Sequence, residues 1–192
     1  MKARRHLAAR HPTTMALIVI DMMNIWTMAN GPKVRRAARA MLPALARMVQ
    51  RARDAKAPVI YANDNFGRWR SNMPALVEQS RRSHPDSQAI VEAIAPVATD
   101  YVVLKPEHSA FYATPLEPLL KALHSRHVVL AGVSGDQCVL ATAGDALLRD
   151  LDVTIPRNTI ACATPLRTRA ILRHFQQVMD LPTPLAQRIR WR

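Results

Sequence analysis

Cysteine is scarce in this sequence. Only Cys138 and Cys162 are present, which excludes a disulfide framework and points to the cytoplasm, where free thiols persist. Glycine is scarce too, and five glycines against fourteen prolines exclude a collagen-like or glycine-rich low-complexity chain. No apolar run approaches the roughly 20 residues of a membrane span. The basic N-terminal "MKARRHLAARH" is not followed by the apolar core of a secretory signal. Acid is also short: 14 Asp and Glu face 27 Lys and Arg, a net charge of +13. Such an excess invites a polyanion partner. Here it is spread over the N-terminal stretch, the C-terminal "QRIRWR" and "RRAARAMLPALARMVQRARDAK", a helix whose arginines line its solvent face. A solvated basic surface accounts for that spread better than a nucleic-acid site does.

What is present suits one sizeable core. Hydrophobic residues make up 49% of 192 positions, and a chain of this length buries roughly 70% of its unfolded surface. Short apolar runs alternate with amphipathic stretches. "MALIVID" (15–21), "APVIYAND" (57–64), "DYVVLK" (100–105), "HVVLAGV" (127–133) and "DVTIP" (152–156) read as strands, too short for stable helices. They are apolar on both faces, as parallel strands covered by helices are. Helices are expected over 32–56, with a break or kink at Pro43, over 86–96, over 114–125 with Thr114 as cap, and from about Cys138 to Arg149. A last helix, 164–177, has Thr164 as cap and Pro165 in its first turn. The stretch from Phe66 to Pro85 reads as polar and irregular.

This alternation predicts a single-domain, doubly wound α/β fold: a mostly parallel sheet of five or six strands with helices on both faces. The domain is expected over 14–185, with a flexible basic extension over 1–13 and a basic C-terminal tail over 186–192. In such folds ligands bind beyond the carboxyl ends of the strands, so the residues just after each strand carry the information. The first strand ends in Asp21, the second in Asn63-Asp64-Asn65 and the third in Lys105, while the fourth leads through Ser134 to Cys138. Each has an ordinary structural reading as a helix cap, a solvated edge residue or a small buried hydrophobe. Together they place a carboxylate, an ammonium and a thiol on one sheet edge. A thiol acts as a nucleophile only as thiolate, and a helix N-terminus with a nearby cation lowers its pKa. Lys105 can be that cation, and Asp21 the base that takes the thiol proton and later serves a leaving group or water. Amides of the turn 134–138 can hold a developing oxyanion.

Three segments carry a family resemblance. "ALIVIDMMNIW", "VVLKPEHSAFYATPLEPLL" and "VVLAGVSGDQCVLATAGDALLRDLDVTI" resemble, in order, the acid, lysine and cysteine segments of the isochorismatase-like cysteine hydrolases. That superfamily includes nicotinamidases and N-carbamoylsarcosine amidases. The resemblance spans about residues 15–180. It implies that Asp21, Lys105 and Cys138 form a catalytic triad and that Val133–Ser134 is a non-proline cis peptide. It further implies that the amides of Ser134 and Cys138 face the substrate oxygen. The reaction implied is attack of Cys138 on an amide-type carbonyl, release of ammonia or an amine, and hydrolysis of the thioester.

Nicotinamidases hold a metal with an aspartate and two histidines after the second strand. Here Asp64 is followed by no histidine until His84, so neither a metal nor another cofactor is expected, and nicotinamide is disfavoured as substrate. Asn158 stands where many relatives have aspartate, a change expected to affect local hydrogen bonding. Phe111, Trp69 and Asn65 are candidates for the pocket wall; the ordinary reading of Phe111 is core, and that of Trp69 a surface loop or subunit contact. His108 reads as structural or exposed, Cys162 as a small packed residue, and Met22, Met23 and Met28 as core or interface. The leading expectation is a cofactor-independent cysteine hydrolase of a small amide or related C–N bond, a dimer or tetramer as relatives often are, with no membrane or nucleic-acid partner. The alternatives are a catalytically silent protein of this fold that holds an acidic partner on its basic surface, or an isochorismatase-type ether hydrolase.

Overall fold

The computed structural model describes residues 14–191; the expected N-terminal extension, 1–13, lies outside them. Six strands form one parallel sheet: β1 (Thr14–Ile20), β2 (Val59–Asp64), β3 (Tyr101–Lys105), β4 (Ser125–Val133), β5 (Asp152–Thr154) and β6 (Ile160–Ala161). Their order is β3-β2-β1-β4-β5, and β6 pairs with the far end of β4, Gly132 opposite Ile160 and Val133 opposite Ala161. The chain therefore winds one way from β1 through β2 to β3, then returns to the other side of β1 for β4. The crevice between the carboxyl ends of β1 and β4 is the switch point where doubly wound folds hold ligands.

Strand β1 shows why the sheet has two cores. Leu17 and Val19 face one side, Ala16, Ile18 and Ile20 the other, and all five are buried. The first side packs on α1 (Gly31–Asp54), α2 (Met73–Ser83) and α3 (Pro85–Ile94) through residues such as Leu45, Met48, Met73 and Ile90. The second packs on α4 (Leu116–Ala122), α5 (Leu140–Leu147) and α6 (Pro165–Gln177) through Leu120, Ala143 and Phe175. Met22 and Met23 belong to the first core, whereas Met28 is exposed.

Four local expectations are corrected. Helix α1 runs unbroken through Pro43. The Pro43 ring stands on the exposed face, so the carbonyl it cannot bond is open to solvent rather than trapped in the core. The stretch expected to be irregular contains α2, with Asn72 at its N-cap accepting from the Ala75 N–H at 2.9 Å. Thr114 does not cap α4, which starts at Leu116 behind Pro115; its hydroxyl accepts from the Leu116 N–H at 3.2 Å. The helix expected from Cys138 is instead a π-helical turn, Gly135–Val139, that runs into α5. By contrast Thr164 does cap α6, accepting from the Arg167 N–H at 3.2 Å.

The C-terminal segment read as a basic tail packs on α1. Ala186 and Ile189 are buried, and Arg51 donates to both of their carbonyls. Asn158 Oδ1 accepts from the Ala186 N–H at 2.8 Å, so this side chain anchors that segment.

Candidate active site

Asp21 is the residue at which β1 stops. Its φ of 51° is left-handed, a conformation that costs a non-glycine residue energy and is kept where the surroundings enforce it. The adjoining backbone is fixed by Gly132 of β4, whose φ is 117°; a Cβ there would lie 2.1 Å from the Ile20 carbonyl oxygen. Only glycine allows β1 and β4 to approach this closely beside the site. The Asp21 carboxylate is buried, and each oxygen has a donor: Oδ1 accepts from the Asp64 N–H at 2.7 Å, and Oδ2 faces Lys105 Nζ at 2.9 Å.

Lys105 closes β3, the edge strand, yet its side chain is fully buried. It crosses beneath the ends of β2 and β1. Its ammonium donates to the Glu107 carbonyl at 3.1 Å and lies 3.6 Å from Cys138 Sγ and 3.9 Å from Asp64 Oδ2. Burial alone would lower its pKa, but the neighbouring carboxylates, Asp21 first and Asp64 after it, outweigh that and hold it above the usual lysine value. Burial pushes the Asp64 carboxyl up, against the pull of the Phe66 N–H and Lys105.

Cys138 lies inside the π turn, 8% exposed. Its thiol is pushed up to about 12, first by burial and then by the charge of Asp21, with Lys105 pulling the other way. This corrects the expectation of a lowered thiol pKa. The cation is present, but a dry pocket and an adjacent carboxylate outweigh it, so the resting group at neutral pH is the thiol. Upstream, the Val133–Ser134 bond is cis, and the Ser134 N–H has no acceptor among the described residues. The Ser134 hydroxyl donates to Asp136 Oδ1 at 2.6 Å, and Asp136 is paired in turn with Arg167.

The structure thus brings Asp21, Lys105 and Cys138 together, with the Ser134 turn beside them. The pocket candidates divide. Phe111 is buried in the same core as Cys138, with the Arg149 guanidinium 4.8 Å above its ring. Asn65 is buried beside Lys105: its N–H donates to the Lys105 carbonyl at 3.0 Å and its Oδ1 accepts from the Gly67 N–H at 2.8 Å, which shapes the turn. Trp69 stands in solvent, 79% exposed. Among the described residues no group of three or more His, Cys, Asp or Glu is placed to hold a metal ion. His84 serves as the N-cap of α3, its Nδ1 accepting from the Asp86 N–H. Cys162 is fully buried and packs against Gly135. One residue was underrated from sequence: His108, exposed on the segment after β3, has Nδ1 3.6 Å from Cys138 Sγ. Its separation from Lys105 by only two residues was the available signal.

A buried carboxylate–ammonium pair lies against a thiol at the switch point of a doubly wound sheet, the edge at which such folds hold ligands. The chain belongs to the isochorismatase family: the family model, described as the isochorismatase domain, matches residues 15–187. It is 37% identical over 146 residues to the isochorismatase family protein YaaI of Bacillus subtilis, covering 76% of this chain and 80% of that one. It is 31% identical over 153 residues to the maleamate amidohydrolase of Pseudomonas putida, covering 76% of this chain and 71% of that one. Among solved structures, the N-carbamoylsarcosine amidase of Thermoplasma acidophilum superposes with a TM-score of 0.70 at 25% identity, covering 93% of this chain and 99% of that one.

Proposed function

We propose that this protein hydrolyses a small amide or related C–N bond through a thioester on Cys138. The observation that carries the reading is the position of the Lys105 ammonium, 2.9 Å from the Asp21 carboxylate and 3.6 Å from the Cys138 sulfur. Asp21 takes the thiol proton as Cys138 attacks the carbonyl carbon, and Lys105 stabilises the thiolate as it forms. The N–H groups of Ser134 and Cys138 bind the oxyanion. The amine or ammonia departs with a proton, and water then hydrolyses the thioester. Because the resting thiol is neutral, attack needs a base that takes its proton. A neutral thiol also leaves the buried site with one ion pair instead of three charges.

The named amidohydrolase and amidase relatives support an amide substrate. Phe111 forms part of the pocket floor, Asn65 shapes one rim, and Trp69 is free to close over a bound substrate from its loop. In this reading the protein is cytoplasmic, needs no cofactor and works as a dimer or tetramer. The test is a screen for ammonia release over maleamate, N-carbamoylsarcosine, other small amides, ureas and hydroxamates, with Cys138→Ala as control. A hydrolysed substrate whose acyl group is trapped on Cys138, detected by mass spectrometry, is the expected result. Turnover that survives Cys138→Ala refutes the mechanism.

A further inference from the structure

His108 has no part in the mechanism above, yet it touches the reacting atom. Its Nδ1 lies 3.6 Å from Cys138 Sγ, the same distance as Lys105 Nζ, and it has no other hydrogen-bond partner among the described residues. The imidazole is exposed, whereas Lys105 and Asp21 are buried. Both Asp21 oxygens are already engaged, one by the Asp64 N–H and one by Lys105. We propose that His108 is a further catalytic residue, a second proton acceptor for the Cys138 thiol on the solvent side, working in parallel with Asp21. The proposal rests on Cys138 being the nucleophile.

In the Nε2–H tautomer the Nδ1 lone pair takes the thiol proton, so an S–H bond breaks and an N–H bond forms, leaving thiolate and imidazolium. The thiolate pair forms the C–S bond while the carbonyl π pair moves to oxygen. When the C–N bond breaks, the departing nitrogen takes the proton from Nδ1 and leaves as amine. In the second half, neutral His108 takes a proton from the attacking water and returns it to the departing sulfur. The charged groups around the imidazole are Lys105 and Glu107 on its own segment, Asp64 from the end of β2, whose carboxyl its charge helps to hold down, and Asp21 from β1. A cation formed at His108 is favoured by these carboxylates and by the new thiolate, and is opposed by Lys105.

The test is the rate of iodoacetamide alkylation of Cys138 from pH 5 to 10, read by peptide mass spectrometry so that Cys162 is counted separately. The variants are His108→Gln, His108→Ala with and without added imidazole, and Asp21→Asn. His108→Gln should react at least roughly 10-fold more slowly than the parent near neutral pH. Imidazole should restore His108→Ala, which a structural role would not permit. The proposal is overturned if His108→Gln alkylates like the parent at every pH, or if it is slow and imidazole rescues nothing. A reactive parent Cys138 with an unaltered His108→Gln profile sinks only the His108 assignment. A parent Cys138 no more reactive than a free cysteine derivative sinks the nucleophile reading as well.

Discussion

Replacing Lys105 by methionine should cost stability as well as activity, and the size of the loss follows from the ion pair. Lys105 is fully buried and its ammonium lies 2.9 Å from Asp21, itself 4% exposed. At an effective dielectric constant of about 20, two unit charges at that distance attract by about 6 kcal/mol before desolvation is subtracted. Methionine fills similar space but leaves the carboxylate without its counter-ion. Removing one partner of a buried pair typically costs about 3–5 kcal/mol. For a domain of this size each kcal/mol lowers Tm by about 2–4 °C, so a fall of roughly 6–20 °C is expected. The assay is a double-mutant cycle by thermal or denaturant unfolding. Asp21→Asn/Lys105→Met removes both charges and should be markedly more stable than Lys105→Met alone, with both variants inactive. A Lys105→Met protein that melts with the parent, or a double variant no more stable than the single one, would refute the claim that the pair compensates its own burial.

Other outcomes follow from the same geometry. Cys138→Ala should abolish amide turnover in the ammonia-release assay while leaving the melting temperature near that of the parent. Asp21→Asn should lower the Cys138 pKa from about 12, because a negative neighbour is gone, and yet reduce turnover by on the order of 100-fold as the proton acceptor is lost; thiol titration by ultraviolet absorbance checks the first part. Stability should fall at high pH. Cys138, Cys162, Lys105 and Tyr61 all have folded-state pKa values raised above their ordinary ones. Each therefore contributes stability below its unfolded pKa, about 8.5 to 10.4, which is lost as pH rises toward the folded value. Unfolding curves between pH 7 and 11 test this. Gly132→Ala should fail to fold or lose at least about 3 kcal/mol, since the added Cβ meets the backbone of Ile20 at 2.1 Å and φ is 117°.

Much of the fold was legible because its signals are local. Apolar runs of five to eight residues separated by amphipathic helices have few parallel arrangements open to them, and Thr164-Pro165 announced α6 unaided. The misreadings have physical reasons. At Pro43 the lost hydrogen bond falls on an exposed face, where water can take the freed carbonyl, and the long buried face of α1 holds the helix together despite the remaining cost. In the stretch after β2 the cap Asn72 with Pro74 was a usable start signal for α2, masked by its polar surroundings. Strand β6 is two residues long and exists only because β4 runs past β5. Asp21, Lys105 and Cys138 could be placed on one edge from strand ends alone, but the thiol's direction of shift could not. That depends on how dry the pocket is and which charge lies nearer, and both are tertiary facts. His108 was missed for the same reason, since its contact with Cys138 crosses thirty residues of sequence.

The contact between Gly132 and the Ile20 backbone has a consequence for how this protein can change. The residues that hold Asp21 and the Ser134 turn in register belong to the two central strands, and they meet main chain to main chain. The loop with Trp69 and the segment with His108 and Phe111 grow from β2 and β3, outside that contact. Loop exchange in the laboratory, like divergence in nature, can therefore alter what enters the pocket without disturbing the frame that does the chemistry. A library confined to 65–72 and 106–113 that spares Asn65 and His108 is the design this division recommends.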